Sequence, residues 1–221
     1  MIIAGGLILA GLACIATGLA LGGYDTLVED SPYDGHTVGG VHHISKDFDR
    51  IRIDVIAADV ELVPSEDDKC RVTTRDSDYV EYTAYVLKDT LMVRATDTRK
   101  WYERLFTPSV SGRSVKVALP REAYKSLTVE TVSGRVSINV RYTFSEDVTL
   151  TSTSGTIGTA AAIGGHLDMR STSGDLYAMG FLNTVTARST SGKVSLGGKT
   201  VNGDCIAATA DLETTSGGIS V

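Results

Sequence analysis

The sequence predicts an all-β fold, a β-solenoid of stacked strand repeats preceded by one N-terminal transmembrane helix. Three observations predict it: five tandem Ser-Gly elements in a constant apolar register, an uncharged run at the start of the chain, and the near absence of helical periodicity between them.

The repeat carries most of the argument. The copies are Thr131-Val132-Ser133-Gly134-Arg135-Val136, Ser152-Thr153-Ser154-Gly155-Thr156-Ile157, Ser171-Thr172-Ser173-Gly174-Asp175-Leu176, Ser189-Thr190-Ser191-Gly192-Lys193-Val194 and Thr214-Thr215-Ser216-Gly217-Gly218-Ile219, with glycines 21, 19, 18 and 25 residues apart. Aligned on the glycine, the position seven before it holds Leu127, Val148, Leu167, Val185 and Ala210. The position five before holds Val129, Leu150, Met169, Ala187 and Leu212, and the position two after holds Val136, Ile157, Leu176, Val194 and Ile219. Polar residues lie between them, as at Glu130, Thr151, Arg170, Arg188 and Glu213. Such period-two alternation marks strands with one buried face. Each unit is a strand, a tight Ser-Gly turn that needs a positive φ or a close backbone approach, and a second strand. A unit of this length cannot close a core alone, whereas stacking units at ~4.8 Å per rung merges the apolar columns into one. Stacking also sets Ser133, Ser154, Ser173, Ser191 and Ser216 in a ladder whose hydroxyls are expected to satisfy the turns, and it sets Arg170 beside Arg188 on a solvated face.

Upstream, Ile51–Val55, Val60–Val63, Thr90–Val93 and Val115–Pro120 read as further strands, with turns at Glu66–Lys69 and Lys88-Asp89. The segment from Arg99 to Phe106 departs from the pattern and reads as a helical turn or a protruding loop.

Residues 1–23 hold no charged side chain. As a helix they would be roughly 34 Å long at ~1.5 Å per residue, enough to cross a hydrocarbon core of about 30 Å. A spanning helix or signal anchor is the reading, and a cleaved signal peptide is the alternative. No Lys or Arg precedes Lys46, so orientation rests on the acidic flank of Asp25, Glu29, Asp30 and Asp34, which places the C-terminal body outside the cell membrane as a single-pass protein. Residues 24–43 read as a linker, with Pro32, Gly35, Gly39 and Gly40 and no sustained period, and residues 44–221 as the β-repeat domain.

The strand start from Phe48 to Leu62, the tandem Thr-Ser-Gly-x-apolar repeats, the piece Lys100-Trp101-Tyr102-Glu103 and the strand end Ala118-Leu119-Pro120 together resemble the putative-adhesin β-strand-repeat family, the toast-rack type of bacterial cell-envelope protein. The resemblance covers about residues 44 to 221. It implies a stacked β-structure on the envelope, often behind a membrane helix and sometimes linked to envelope-stress systems. The family carries no established catalytic residues, so it transfers none.

The chemistry available is thin. A net charge of −6 argues against a nucleic-acid partner. Three cysteines give neither a paired framework nor CxxC spacing, and Cys70 and Cys205 are expected to be free, partly buried thiols. His36, His42 and His43 lack companions for a coordination set, so no metal is assigned. Asp175 suggests calcium, but Arg135, Thr156, Lys193 and Gly218 hold the same place in the other repeats. His166 stands alone in the body, without a nucleophile elbow. The reading is therefore a protein that is not an enzyme and needs no cofactor. The best contact candidate is Arg99, Lys100, Trp101, Tyr102 and Arg104, cations among aromatic rings, suited to sugars, anionic polymers or a membrane interface. The expected function is that of a membrane-anchored envelope adhesin or scaffold binding a protein or glycan. The alternative is an extracytoplasmic sensor domain of an envelope-stress system.

Overall fold

The alternation read from the repeats is realised as two sheets closed over a shared apolar core. The computed structural model describes residues 40–75, 80–98, 114–139, 142–197 and 206–221. The chain divides into two units, Met1–Tyr33 and Asp34–Val221, and every described residue belongs to the second. The expected membrane helix lies outside the described residues, as do Cys205 and the whole of the segment from Arg99 to Arg104.

Before the repeats come β1 (Val41–Ile44), β2 (Arg50–Ala57), β3 (Asp59–Pro64), β4 (Cys70–Thr74), β5 (Val80–Leu87), β6 (Thr90–Asp97), β7 (Ser114–Leu119) and the two-residue β8 (Ala123–Tyr124). The repeats contribute β9 (Ser126–Ser133), β10 (Val136–Ile138), the short β11 (Thr143–Phe144), β12 (Val148–Ser154), β13 (Ile157–Thr159), β14 (Ala162–Ser171), β15 (Leu176–Ala178), β16 (Phe181–Ser189), β17 (Val194–Leu196), β18 (Ile206–Thr214) and β19 (Ile219–Ser220). One sheet has the order β1-β4-β7-β3-β10-β13-β15-β17-β19, and the other β18-β16-β14-β12-β9-β2-β6-β5. Each repeat supplies one strand to each sheet and turns the corner at its glycine.

The register is the one the glycine alignment requires. Leu127, Val148, Leu167, Val185 and Ala210 pair in sequence across parallel strands, as do Val129, Leu150, Met169, Ala187 and Leu212. Val136, Ile157, Leu176, Val194 and Ile219 form the matching column in the other sheet. All of these are buried except the three in the last rung, where Ala210 and Ile219 are exposed and Leu212 is half-buried.

The corner glycines answer which of their two uses applies. A Cβ on Gly155, Gly174, Gly192 or Gly217 would lie 2.0, 2.1, 2.2 or 2.1 Å from the carbonyl oxygen of the preceding glycine in the stack. Only Gly134, at the base of the column and against Ala58, also has a positive φ, of 125°. Close backbone approach, repeated rung by rung, is therefore what selects glycine here.

The hydroxyl ladder differs from the expected one. The corner serines at Ser154, Ser173, Ser191 and Ser216 are exposed. The hydroxyls that reach the turns sit two residues earlier and point inward. Ser189 donates to the Gly174 carbonyl at 3.1 Å and Thr214 to the Gly192 carbonyl at 3.0 Å, each crossing to the neighbouring rung.

Four features lie beyond the repeat pattern. The strand β1 begins inside the expected linker, and it buries His42 against β4. The pair β6 and β7 stacks parallel outside β2 and β3, while β9 and β10 stack on their other side, so spatial order departs from chain order. At that end β1, β4 and β5 run antiparallel, a geometry that short turns such as Lys88-Asp89, with Lys88 at φ 57°, can join. Finally, β8, β11 and the starts of β14, β16 and β18 make a third, narrow ladder. It stacks Tyr124, Phe144, Ile163, Leu182 and Ala207, and Phe48 lies on Tyr124 with ring centroids 5.7 Å apart.

Candidate functional site

With the apolar columns turned inward, function falls to the outward positions of the same strands. On the longer-stranded sheet these carry charge. Arg94, Asp54, Glu130, Thr151, Arg170, Arg188 and Glu213 form one column in register. The adjacency of Arg170 and Arg188 does not leave two bare cations. Arg170 turns to Asp168 on its own strand at 2.8 Å, and Arg188 turns away to Asp211 at 2.8 Å and Glu213 at 3.5 Å on the next. Arg52 likewise joins Asp54 and Glu130, each at 3.0 Å. The face is a set of local ion pairs, individually worth under about 1 kcal/mol at such exposure.

Near the antiparallel end, a cleft of about 270 Å³ is lined by His43, Lys46, Lys69, Cys70 and Arg121 among others. Burial pushes the Cys70 thiol up to about 12, so it stays protonated and unreactive. Arg121 is already engaged. It bonds the Phe48 carbonyl and Asp49, and its guanidinium lies 5.2 Å from the Tyr124 ring centroid. Among the described residues no group of three His, Cys, Asp or Glu is placed to hold a metal ion. The backbone N–H of His166 donates to Asp147 Oδ1 at 2.9 Å, a contact that shapes a bulge in β14.

The feature absent from the sequence reading is the rung that follows Gly174. Its outward residues are Asp175, Tyr177, Met179 and Phe181, with Met179 40% and Phe181 64% exposed. Around Tyr177 the neighbours in register are small, Gly158 on one side and Ser195 on the other, whereas Phe181 pairs with Ile206. The Tyr177 side chain thus stands between two rungs that carry little or no side chain beside it. Tyr177 is fixed in place. Its hydroxyl donates to Asp175 Oδ2 at 3.0 Å, while Asp175 Oδ1 accepts the Lys193 N–H at 2.7 Å. Donation to that carboxylate holds the phenol above its ordinary value of 10.0. Further along, Phe181 and Leu182 border an open groove of about 400 Å³ whose other walls include Phe144, Ile163 and Gly164. The signal available in sequence was the contrast between Tyr177 in one repeat and Gly158 and Ser195 at the same place in its neighbours.

The model of the family described as Toastrack DUF4097 matches residues 48–221. The chain belongs to this family. Its Toastrack region accounts for all of the stacked rungs, and the toast-rack resemblance read from the repeats is met. Among solved structures, this Toastrack chain is similar to a putative adhesin from Bacteroides fragilis, at 13% identity and a TM-score of 0.40, covering 81% of this chain and 95% of that one. It is similar to a putative cell adhesion protein from Clostridium sporogenes, at 10% identity and a TM-score of 0.36, covering 81% and 97%. A putative lipid binding protein from Parabacteroides distasonis aligns at 14% identity and a TM-score of 0.32, covering 83% and 99%. No curated protein matches the sequence.

Proposed function

We propose that this Toastrack chain is held at the cell membrane by residues 1–23 and acts outside the cell as a non-catalytic adhesin or scaffold of the envelope. The observation that carries the binding role is the division of labour within the repeats. Inward positions are given over to one apolar core, and outward ones to ladders of hydroxyls and mutually paired charges, interrupted by the half-buried Tyr177 and the exposed Met179 and Phe181. Aromatic and apolar groups on an outward face suit contact with a partner. The groups that acid–base chemistry would call on are engaged structurally: Asp147 with a backbone N–H, Asp175 with Lys193 and Tyr177, and Cys70 within the core. Anchoring is supported by the uncharged run before Tyr24.

The test uses the full chain with a C-terminal tag, expressed in a bacterial cell. The tag is expected to stay with membranes through an alkaline carbonate wash and to be removed by protease added to cells with a permeabilised outer barrier. The purified domain is expected to co-sediment with isolated cell-wall material. Release by carbonate overturns the anchor, protection of the tag overturns the orientation, and a domain left in the supernatant overturns the binding role.

A further inference from the structure

Gly158 is a glycine that the fold does not require. It sits mid-strand in β13, and its φ is not in the left-handed region. A Cβ built on it would meet only the Val136 carbonyl oxygen, at 3.9 Å, which is ordinary contact. The corner glycines are the opposite case, each blocked at 2.0–2.2 Å by the carbonyl beneath. Glycine weakens a strand interior and often marks a place where something approaches the backbone closely.

What surrounds Gly158 has the form of a slot. Across the strands its register partners are Ser137 on one side and Tyr177 on the other. Two rungs separate those partners, about 10 Å at ~4.8 Å per rung. Along β13 the neighbouring outward residues are Thr156 and Ala160. No atom of the Tyr177 side chain lies within 4 Å of the added Cβ position. Its hydroxyl is tied to Asp175, which pins the ring beside the opening. None of the four residues around the slot is charged, and the nearest carboxylate, Asp175, is satisfied by Tyr177 and the Lys193 N–H.

We propose that the slot over Gly158 receives a single pyranose ring of a neutral glycan, stacked against Tyr177 and hydrogen-bonded by the Ser137 and Thr156 hydroxyls. A sugar offers apolar C–H faces to an aromatic ring and hydroxyls at its rim, which matches an aromatic wall with uncharged hydroxyl neighbours. The absence of a side chain on Gly158 gives the sugar its depth. Ser137, Thr156, Ala160 and Tyr177 carry no charge, which suits an uncharged ring. This inference rests on the binding role proposed above and names the ligand class for it.

The experiment titrates chitotetraose and cellotetraose into the domain and follows Tyr177 and Gly158 by NMR. At least one oligosaccharide is expected to shift both residues. Tyr177→Ala and Gly158→Leu are each expected to weaken that binding about tenfold or more, while Tyr177→Phe, which keeps the stacking ring, retains most of it. Gly158→Leu fills the slot without disturbing a corner, and an unchanged melting temperature shows that the variant is folded; if it unfolds, Gly158→Ser at the same position, read with Tyr177→Ala, decides the point. Shifts centred elsewhere, binding indifferent to these substitutions, or no response to either sugar overturns the site. Cell-wall sedimentation that persists in Gly158→Leu would overturn the slot alone and leave the broader binding role standing.

Discussion

Gly155 lies directly on Gly134: a Cβ added to Gly155 would fall 2.0 Å from the Gly134 carbonyl oxygen. The same contact recurs from Gly174 to Gly155, from Gly192 to Gly174 and from Gly217 to Gly192, so one steric relationship runs through the corners of all five repeats. Gly155→Ala must push two rungs apart and is expected to cost about 3 kcal/mol or more. Gly158→Ala, three residues away, is expected to gain about 0.5 kcal/mol by restricting the unfolded chain. Denaturant melts of the two variants check the contrast, and similar losses in both would refute it.

Leu150 is fully buried and pairs with Val129 and Met169, whereas Thr151 faces outward between Glu130 and Arg170. Leu150→Asp places an unpaired carboxylate in the core and is expected to destabilise by several kcal/mol, while Thr151→Asp should stay within about 0.5 kcal/mol. Thermal unfolding of both proteins is the check.

The hydroxyls that matter at the corners are the inward ones. Ser189→Ala removes the bond to the Gly174 carbonyl and is expected to cost about 1 kcal/mol. Ser191→Ala, at an exposed corner position, should change stability by less than about 0.5 kcal/mol. Equal effects would return the role to the outer serine ladder.

Asp49 accepts from Lys125 and Arg121, and the Lys125 hydrogen bond holds its carboxyl below the ordinary value of 3.8. A depressed folded value contributes stability above the unfolded pKa and loses it as pH falls through the folded one. Asp49→Asn should therefore flatten the acid side of the melting-temperature profile below pH ~4, with a smaller difference at high salt because the group is exposed. A profile unchanged by the substitution would show that the pair does not contribute.

The repeats were legible because two independent signals agreed. The glycines fixed where each unit turns, and the alternation around Leu150 or Met169 fixed which face is buried. The four strands expected upstream were legible from alternation alone. Their spatial order was not, since nothing local in β6 and β7 says that they stack outside β2 and β3; that depends on which parallel edge each pair covers. His42 was hidden because a polar residue in a Gly-rich stretch reads as linker, although β1 buries it by pairing with β4. Tyr177 was hidden for a different reason. Column alignment seeks sameness, and the candidate site lies where Gly158, Tyr177 and Ser195 differ.

The register of the stack supports both the fold and the proposed sugar slot, and a disulfide tests it most directly. Ser152 pairs with Ser171, so the exposed Thr153 and Thr172 that follow are neighbours on adjacent rungs. Their Cα atoms should be ~4.8 Å apart, within the range a disulfide spans. In a chain with Cys205 replaced by serine, Thr153→Cys with Thr172→Cys should oxidise to an intramolecular bond without loss of cooperative unfolding, whereas Thr153→Cys with Thr190→Cys, two rungs apart, should remain reduced. Crosslinking of the distant pair in preference to the adjacent one would contradict the parallel stacking on which the account rests.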